Sequence, residues 1–388
     1  MVAGMPIFSE TMYTPALPHI ATDLNVPSES WVEHTLSIYF FFTALGAIMW
    51  GQLSDAWGRR PCLLAGYTIY VTGCFSCFLA PSIYVLFVAR ALQALGGSAC
   101  IVLAQTLVHD SFRGKERGQV FSKVGAFLTI AAMISPPVGG LVDQSFGWRT
   151  IFLVLLTTGA FVLLLLINLL PETLPKKQRA RPAALKLLKR MACNKKVIVC
   201  SLGIGLSNGL LFSYNAEGPF FFIDMLHISP SLYGLTLSFL AMAGASGSYV
   251  SKILHNRFHS TWILKRGMRI GFLGTLLFAS DTLVLLWLGL GARFIIPVTL
   301  VAMALAFFGR GMTVSNCLAI ATEDYTAVAG TATSLFVCSF YTLIATITGV
   351  MAFLHNDTLL PLPLYCLFLG AGLLLCSFFI PLPNKETH

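Results

Sequence analysis

The chain alternates long apolar runs with short polar breaks, and the runs share one length. Crossing a bilayer takes about 20 apolar residues per helix. Twelve segments meet or approach that length: 1–20, 32–50, 62–79, 83–107, 119–142, 150–170, 197–222, 232–254, 267–290, 294–321, 327–354 and 359–380. They predict an all-α membrane protein with twelve transmembrane helices in two pseudo-symmetric six-helix halves. The first segment barely reaches spanning length and carries Pro15 and Pro18, so a short or shortened helix is expected there.

The longest polar stretch, 171–196, falls between the sixth and seventh segments. It holds Lys176, Lys177, Arg179, Arg181, Lys186, Lys189, Arg190, Lys195 and Lys196 against one acid, Glu172. It divides the chain into an N-terminal half (1–174), a basic cytoplasmic linker (175–196) and a C-terminal half (197–388). Within it, 183–192 has the pattern of a basic amphipathic helix suited to an anionic lipid leaflet.

Composition narrows the class. Of 388 residues, 56% are hydrophobic and 11% charged, against about 25% charged in soluble chains. So few charges cannot coat a globular surface of this size, which excludes a soluble enzyme and a disordered chain. The net charge of +9 is unevenly placed. With the linker in the cytoplasm, all but four Lys and Arg fall on that side. Arg149 and Arg293 lie outside, and Arg90 and Arg310 lie within the membrane. The positive-inside rule then puts both termini in the cytoplasm, with lipid rather than nucleic acid facing the basic surface. The outer breaks are acidic: Asp23, Glu29, Glu33, Asp143 and Asp357. The first ten residues contain no Lys or Arg, so no cleavable signal peptide is expected. Cys74 and Cys77 sit inside an apolar run without a histidine partner and read as packing residues; no metal site is expected. No GxxxxGK[ST] run occurs, so ATP hydrolysis is not expected either.

Several local patterns carry a mechanism. After the second segment comes Gly51-Gln-Leu-Ser-Asp55-Ala-Trp-Gly58-Arg59-Arg60. Gly51 allows close approach of a neighbouring helix and Gly58 a tight turn. Asp55 is an anion at a helix end, where a positive helix N-terminus or an arginine can meet it. The fourth segment contains Arg90-Ala-Leu-Gln93-Ala94-Leu-Gly96-Gly97. A membrane-embedded arginine costs about 2.5–3.5 kcal/mol on insertion scales, so Arg90 should face the interior and a partner. The fifth segment contains Ser135-Pro136-Pro137-Val-Gly139-Gly140, where the prolines bend the helix and the glycines permit close packing. In the second half, Glu217, Asp281 and Arg310 are intramembrane ionisable groups, with an interfacial position left open for the two acids. Phe40, Phe41, Phe212, Phe220, Phe221 and Phe239 are candidates for an apolar cavity wall.

Residues 51–60 match the G-x-L-x-D-x-x-G-R-R motif, and the chain resembles the major facilitator superfamily. The run Ser9-Glu10-Thr11-Met12-Tyr13-Thr14-Pro15-Ala16-Leu17-Pro18 is similar to the T-D-M-Y-x-P-A-L-P signature of Bcr/CflA drug-resistance transporters. Phe146-Gly-Trp148-Arg149 and Leu170-Pro-Glu172-Thr-Leu-Pro175 fit the same family. Ala94 and Ser135 each stand where the family patterns have glycine. Thr11 stands where they have aspartate, with Glu10 one residue earlier, turning the carboxylate by about 100° around the helix.

The resemblance implies the major facilitator fold and alternating access, the halves rocking about a central site. It implies a monomeric, non-enzymatic, proton-coupled antiporter of the bacterial inner membrane that exports amphipathic small molecules or drugs. The proton gradient would supply the energy, with no cofactor. On this reading Glu10 and Arg90 carry proton coupling, and Tyr13, Tyr39, Glu217, Asp281 and Arg310 bind substrate. Gly51, Asp55, Gly58, Arg59 and Arg60 form a conformational switch, with Asp55 against the eleventh helix near Thr326 and held by Arg59 and Arg117. Pro136, Pro137, Gly139 and Gly140 bend the fifth helix. The alternative is a siderophore or metabolite exporter, or a solute importer, of the same fold; Arg90 and Arg310 would suit a carboxylate-bearing cargo.

Overall fold

The computed structural model describes residues 2–112, 114–174, 179, 191–289, 292–322, 329–356 and 358–380, and every regular element among them is helical. The first span is broken. Pro6 sits in the first turn of α1 (Met5–Thr11), where its missing N–H is harmless. Pro15 and Pro18 cannot donate to a continued ladder, so a 3₁₀ turn at Thr14–Ala16 separates α1 from α2 (Leu17–Asp23). The N-terminal half continues with α3 (Ser30–Trp57), α4 (Arg59–Phe78), α5 (Ile83–Ser111), α6 (Gly114–Phe146) and α7 (Trp148–Leu169). The C-terminal half comprises α8 (Lys195–Pro219), α9 (Pro230–Leu254), α10 (Ser260–Trp287), α11 (Ala292–Thr322), α12 (Ala329–Leu354) and α13 (Pro361–Phe379).

Ten of these helices are each long and apolar enough to cross a membrane. The broken first span and α9, whose apolar character is diluted by glycine and serine, complete the twelve. Boundaries follow the apolar runs closely, although α3 continues past Trp50 to Trp57. It stops at Gly58, whose φ of 108° lies in the left-handed region that glycine tolerates. The helices run between two faces of opposite character. Glu29, Glu33 and Asp143 mark an acidic face; Arg59, Arg60 and Lys252 mark a basic one. Of the linker, residues 175–178 and 180–190 lie outside the described residues, and with them most of the expected amphipathic stretch.

Within the N-terminal half α5 packs on α3 and α4, and α4 on α7. Within the C-terminal half α10 packs on α11 and α13, and α11 on α8 and α9. The halves meet along two seams, α3 against α12 and α6 against α9. The second is tight because side chains are missing from it. A Cβ on Gly140 would fall 2.4 Å from the Pro230 oxygen, and one on Gly234 would fall 2.6 Å from the Pro137 Cα. Gly139 packs still more closely on the break in the first span, at the Met12 carbonyl.

Proline chemistry supplies a further tie. Pro137 lies inside α6 and has no N–H to offer the carbonyl of Met133, four residues back. The hydroxyl of Ser238, on α9 in the other half, donates to that carbonyl instead.

Candidate functional site

Glu10 occupies the middle of the first span, nearly fully buried, on the wall of a cavity of about 290 Å³. The cavity extends toward the basic face between α5 and α6, past Ile101, Gln105, Val108 and Val124, and is bounded by Tyr341 of α12. The Tyr341 hydroxyl donates to Glu10 Oε1 at 3.3 Å, so the carboxylate is bound by the opposite half. The one-residue offset from Thr11 has a clear geometric result. Thr11 turns toward α6, where its hydroxyl meets that of Ser135, and it also donates to the Ile7 carbonyl at 2.8 Å. Glu10 is left facing the cavity.

Arg90 is completely buried, yet its partner is not an acid. Its guanidinium lies between the rings of Tyr13 and Tyr39, 4.2 and 4.3 Å from their centroids. Such contacts are worth about 2 kcal/mol or more when desolvated. Nη1 donates to the Ser9 carbonyl at 3.1 Å and to Gln93 Oε1. Nε and Nη2 have no hydrogen-bond acceptor. Glu10 feels the charge of Arg90 without pairing with it: among the described residues no carboxylate oxygen lies within 4.0 Å of that guanidinium. Tyr13 and Tyr39, expected to touch substrate, are instead buried as the walls holding Arg90. Tyr13 is further fixed by its hydroxyl contact with Thr35, at 2.8 Å.

Arg310 lies in α11 and is partly exposed inside the bundle. Nε and Nη2 both donate to Asn208 Oδ1 of α8, at 3.0 and 2.8 Å. Asp281 lies in α10, a flanking helix that packs on α11 and α13 and takes no part in either seam between the halves. The structure does not bring it to Glu10, Arg90 or Arg310. Of the aromatic candidates, Phe40 and Phe212 meet between the halves with ring centroids 4.3 Å apart and planes tilted by 50°, and Tyr341 lies 6.0 Å from Phe40. Phe220 and Phe221 are buried, whereas Phe41 and Phe239 are exposed on the outer surface.

Glu217 is drawn into a cluster at the acidic face. His355, the residue after α12, places Nδ1 3.0 and 3.1 Å from the two Glu217 oxygens and 3.4 Å from Glu33 Oε1. Its Nε2 lies 3.3 Å from Glu29 Oε2. Burial opposes a charge on this imidazole, but the hydrogen bonds to Glu217 and Glu29, with the fields of Glu217 and Glu33, push its pKa up to about 11. Glu29 and Glu33 belong to the N-terminal half and Glu217 and His355 to the C-terminal half. Ser37 and Thr348 add a hydrogen bond across the same seam at 3.1 Å. The acidic face is thus closed between α3 and α12. Sequence reasoning did not assign His355, Glu33 or Tyr341 to a site. A lone histidine just past an apolar run and a tyrosine within one carry no spacing signal.

At the basic face, the turn after α3 is a compact polar network. Arg59 Nη1 donates to Asp55 Oδ1 at 2.5 Å and to Ser54 Oγ at 2.8 Å, and Nε reaches Asp110 Oδ2 of α5 at 3.1 Å. The Arg59 amide, at the start of α4, donates to Glu172 Oε1 at 2.9 Å. Burial opposes the charge on Glu172, but amides of Leu174, Arg59 and Arg60 and the Arg179 guanidinium hold its carboxyl below the usual range. Arg60 donates to the Ile167 carbonyl at 2.8 Å. Gly51 provides the approach to the other half: a Cβ there would fall 2.9 Å from Ser334 Oγ of α12. Asp55 therefore pairs with Arg59 in its own half. Thr326 and the Arg117 side chain, its other expected neighbours, lie outside the described residues.

Two helical halves with paired seams and buried ionisable groups along them define a polytopic membrane transporter. Residues 2–350 match the family model described as Major Facilitator Superfamily, and the chain belongs to that superfamily. It is a secondary transporter and not an enzyme. It is 31% identical to an uncharacterized transporter of Rickettsia bellii, over 97% of this chain and 94% of the relative. It is 26% identical to a bicyclomycin resistance protein homolog of Haemophilus influenzae, over 93% and 89%. The fold matches the partially occluded inward open conformation of the xylose transporter XylE from E. coli, with a TM-score of 0.72, 13% identity, and coverage of 100% and 97%. At that identity the likeness concerns the fold alone.

Proposed function

We propose that the protein is a proton-coupled antiporter exporting amphipathic small molecules across the bacterial inner membrane, with its basic face and both termini in the cytoplasm. The observation that carries this reading is Glu10: a buried carboxylate on a cavity wall, bound by a tyrosine of the opposite half. A proton gained or lost there changes a contact between the halves, which is what coupling to alternating access requires. Arg90 is held near it by Tyr13 and Tyr39 and tunes the carboxylate through its field rather than by a salt bridge. Each pH unit across the membrane supplies about 1.4 kcal/mol per proton. Similarity to a bicyclomycin resistance protein homolog supports drugs as cargo.

The test is transport in inside-out vesicles under an imposed pH gradient, with a panel of dyes, antibiotics and siderophores. Gradient-dependent accumulation of amphipathic members is the expected result. Accumulation indifferent to the gradient would remove proton coupling.

A second reading, an anionic cargo, is favoured by Arg310. It is partly exposed inside the bundle, bound by a neutral asparagine, and has no carboxylate within 4.0 Å among the described residues. Carboxylate-bearing members of the panel would then be preferred, and Arg310→Gln would remove that preference.

A further inference from the structure

We propose that Glu33, Glu217 and His355 form a binding site for a divalent transition-metal ion of the zinc type, which clamps the two halves together at the acidic face. The donor atoms come from three elements: α3, the end of α8 and the residue after α12. All lie within 4.8 Å of one another. Around a zinc ion, bonds of about 2.0–2.1 Å place neighbouring tetrahedral donors about 3.3 Å apart. The observed edges from His355 Nδ1 are 3.0 Å to Glu217 and 3.4 Å to Glu33. Two of the three edges of one face of such a tetrahedron are therefore already in place, and the third, between the two carboxylates, is no longer than 4.8 Å.

Two independent features aim the cluster at a cation. The Glu33 side chain is fully buried, and neither of its oxygens accepts a hydrogen bond; its 3.4 Å contact with His355 is electrostatic only. Two buried carboxylates from opposite halves thus face each other, and a dication between them would offset their repulsion and their lost hydration. Behind the imidazole, Glu29 Oε2 lies 3.3 Å from Nε2. A carboxylate at the far nitrogen holds the Nε2–H and fixes the ring, so a metal ion that displaces the Nδ1 proton finds that nitrogen already aimed at the other two donors. Histidines that bind metals are supported in this way. An imidazole with two carboxylates suits zinc-like ions, whereas calcium and magnesium demand six or more oxygens.

Because the donors straddle the seam, the ion binds only when the acidic face is closed, and it favours that state by mass action. Zinc in the outer medium should hold the acidic face shut and slow turnover. The site goes beyond proton-coupled drug export and does not depend on the identity of the cargo.

The full chain, purified in lipid nanodiscs, would be titrated calorimetrically with zinc chloride alone. It would be compared with Glu33→Gln, with His355→Gln, and with Cys193→Ser, which removes an exposed thiol able to bind zinc itself. Spin labels across the acidic face would report its closure. The expected result is a zinc site weakened at least tenfold in both Glu33→Gln and His355→Gln and unchanged in Cys193→Ser. Zinc should narrow the acidic-face distances only in chains that retain the site. If one variant fails to fold, as judged by gel filtration, the other decides. A parent chain that binds no zinc, or binding retained in every folded Glu33 and His355 variant, overturns the proposal.

Discussion

Glu10 and Tyr341 are hydrogen-bonded at 3.3 Å across the boundary between the two halves, one residue near the middle of the first span and the other in the middle of α12. The contact ties a buried carboxylate of the first span to a helix of the opposite half. Thr11, the neighbouring position, is bound to Ser135 within its own half and has no such reach.

Replacing Glu10 with glutamine keeps the shape of the side chain and its capacity to accept from Tyr341, but removes the titration. Gradient-driven accumulation should fall to the passive level while thermal stability in detergent stays near that of the parent. Parental accumulation in Glu10→Gln would exclude this residue as the proton carrier.

Tyr341→Phe removes the hydroxyl and keeps the ring beside Phe40. A net hydrogen bond is worth about 1 kcal/mol, which corresponds to roughly a fivefold change in a two-state population. The halves should separate more readily at this seam, seen as a longer distance population between labels on α3 and α12. The same distances in Tyr341→Phe and parent would show that the contact does not bias the equilibrium.

How much of this was legible in the sequence follows from the range of each interaction. Span number and boundaries are local consequences of run length. The split first span follows from Pro15 and Pro18, and the tight α6–α9 seam from Gly140 in its pattern. The site was legible only in part. Glu10 and Arg90 stand out because charge in an apolar run is conspicuous, but the Tyr13–Tyr39 sandwich around Arg90 is a matter of side-chain direction in the turn after α1 and in two separate helices. Glu217 could be placed in a central cavity or at an outer rim until His355, 138 residues later, was seen beside it. Contacts between halves have no periodic signature, because neither partner's sequence depends on the spacing of the other.

The Arg90 sandwich distinguishes substitutions that conserve charge from those that do not. Lysine keeps the cation but loses the planar group that fits between two rings. Alanine empties that space and strips the Ser9 carbonyl and Gln93 of their donor. Arg90→Ala should lower stability by roughly 2–4 kcal/mol, with Arg90→Lys losing less, and transport should fall in the same order. Thermal unfolding in detergent, paired with vesicle transport, checks both; equal and full activity in the two variants would reduce Arg90 to a packing residue.

The Ser238–Met133 contact yields a prediction in which one substitution alters the effect of another. Pro137 leaves the Met133 carbonyl without its helical donor, and the Ser238 hydroxyl supplies one from the other half. Ser238→Ala should therefore leave a carbonyl unpaired in the seam, at a cost of about 1–3 kcal/mol, and loosen α6 from α9. Pro137→Ala restores an N–H four residues along from Met133, so the carbonyl regains an intrahelical partner and α6 straightens. In that background Ser238→Ala should cost little. A double-mutant cycle on unfolding temperature, with crosslinking between α6 and α9, measures the coupling directly. A coupling near zero would mean that the serine hydroxyl does not stand in for the missing amide, and that the closeness of this seam rests on Gly140 and Gly234 alone.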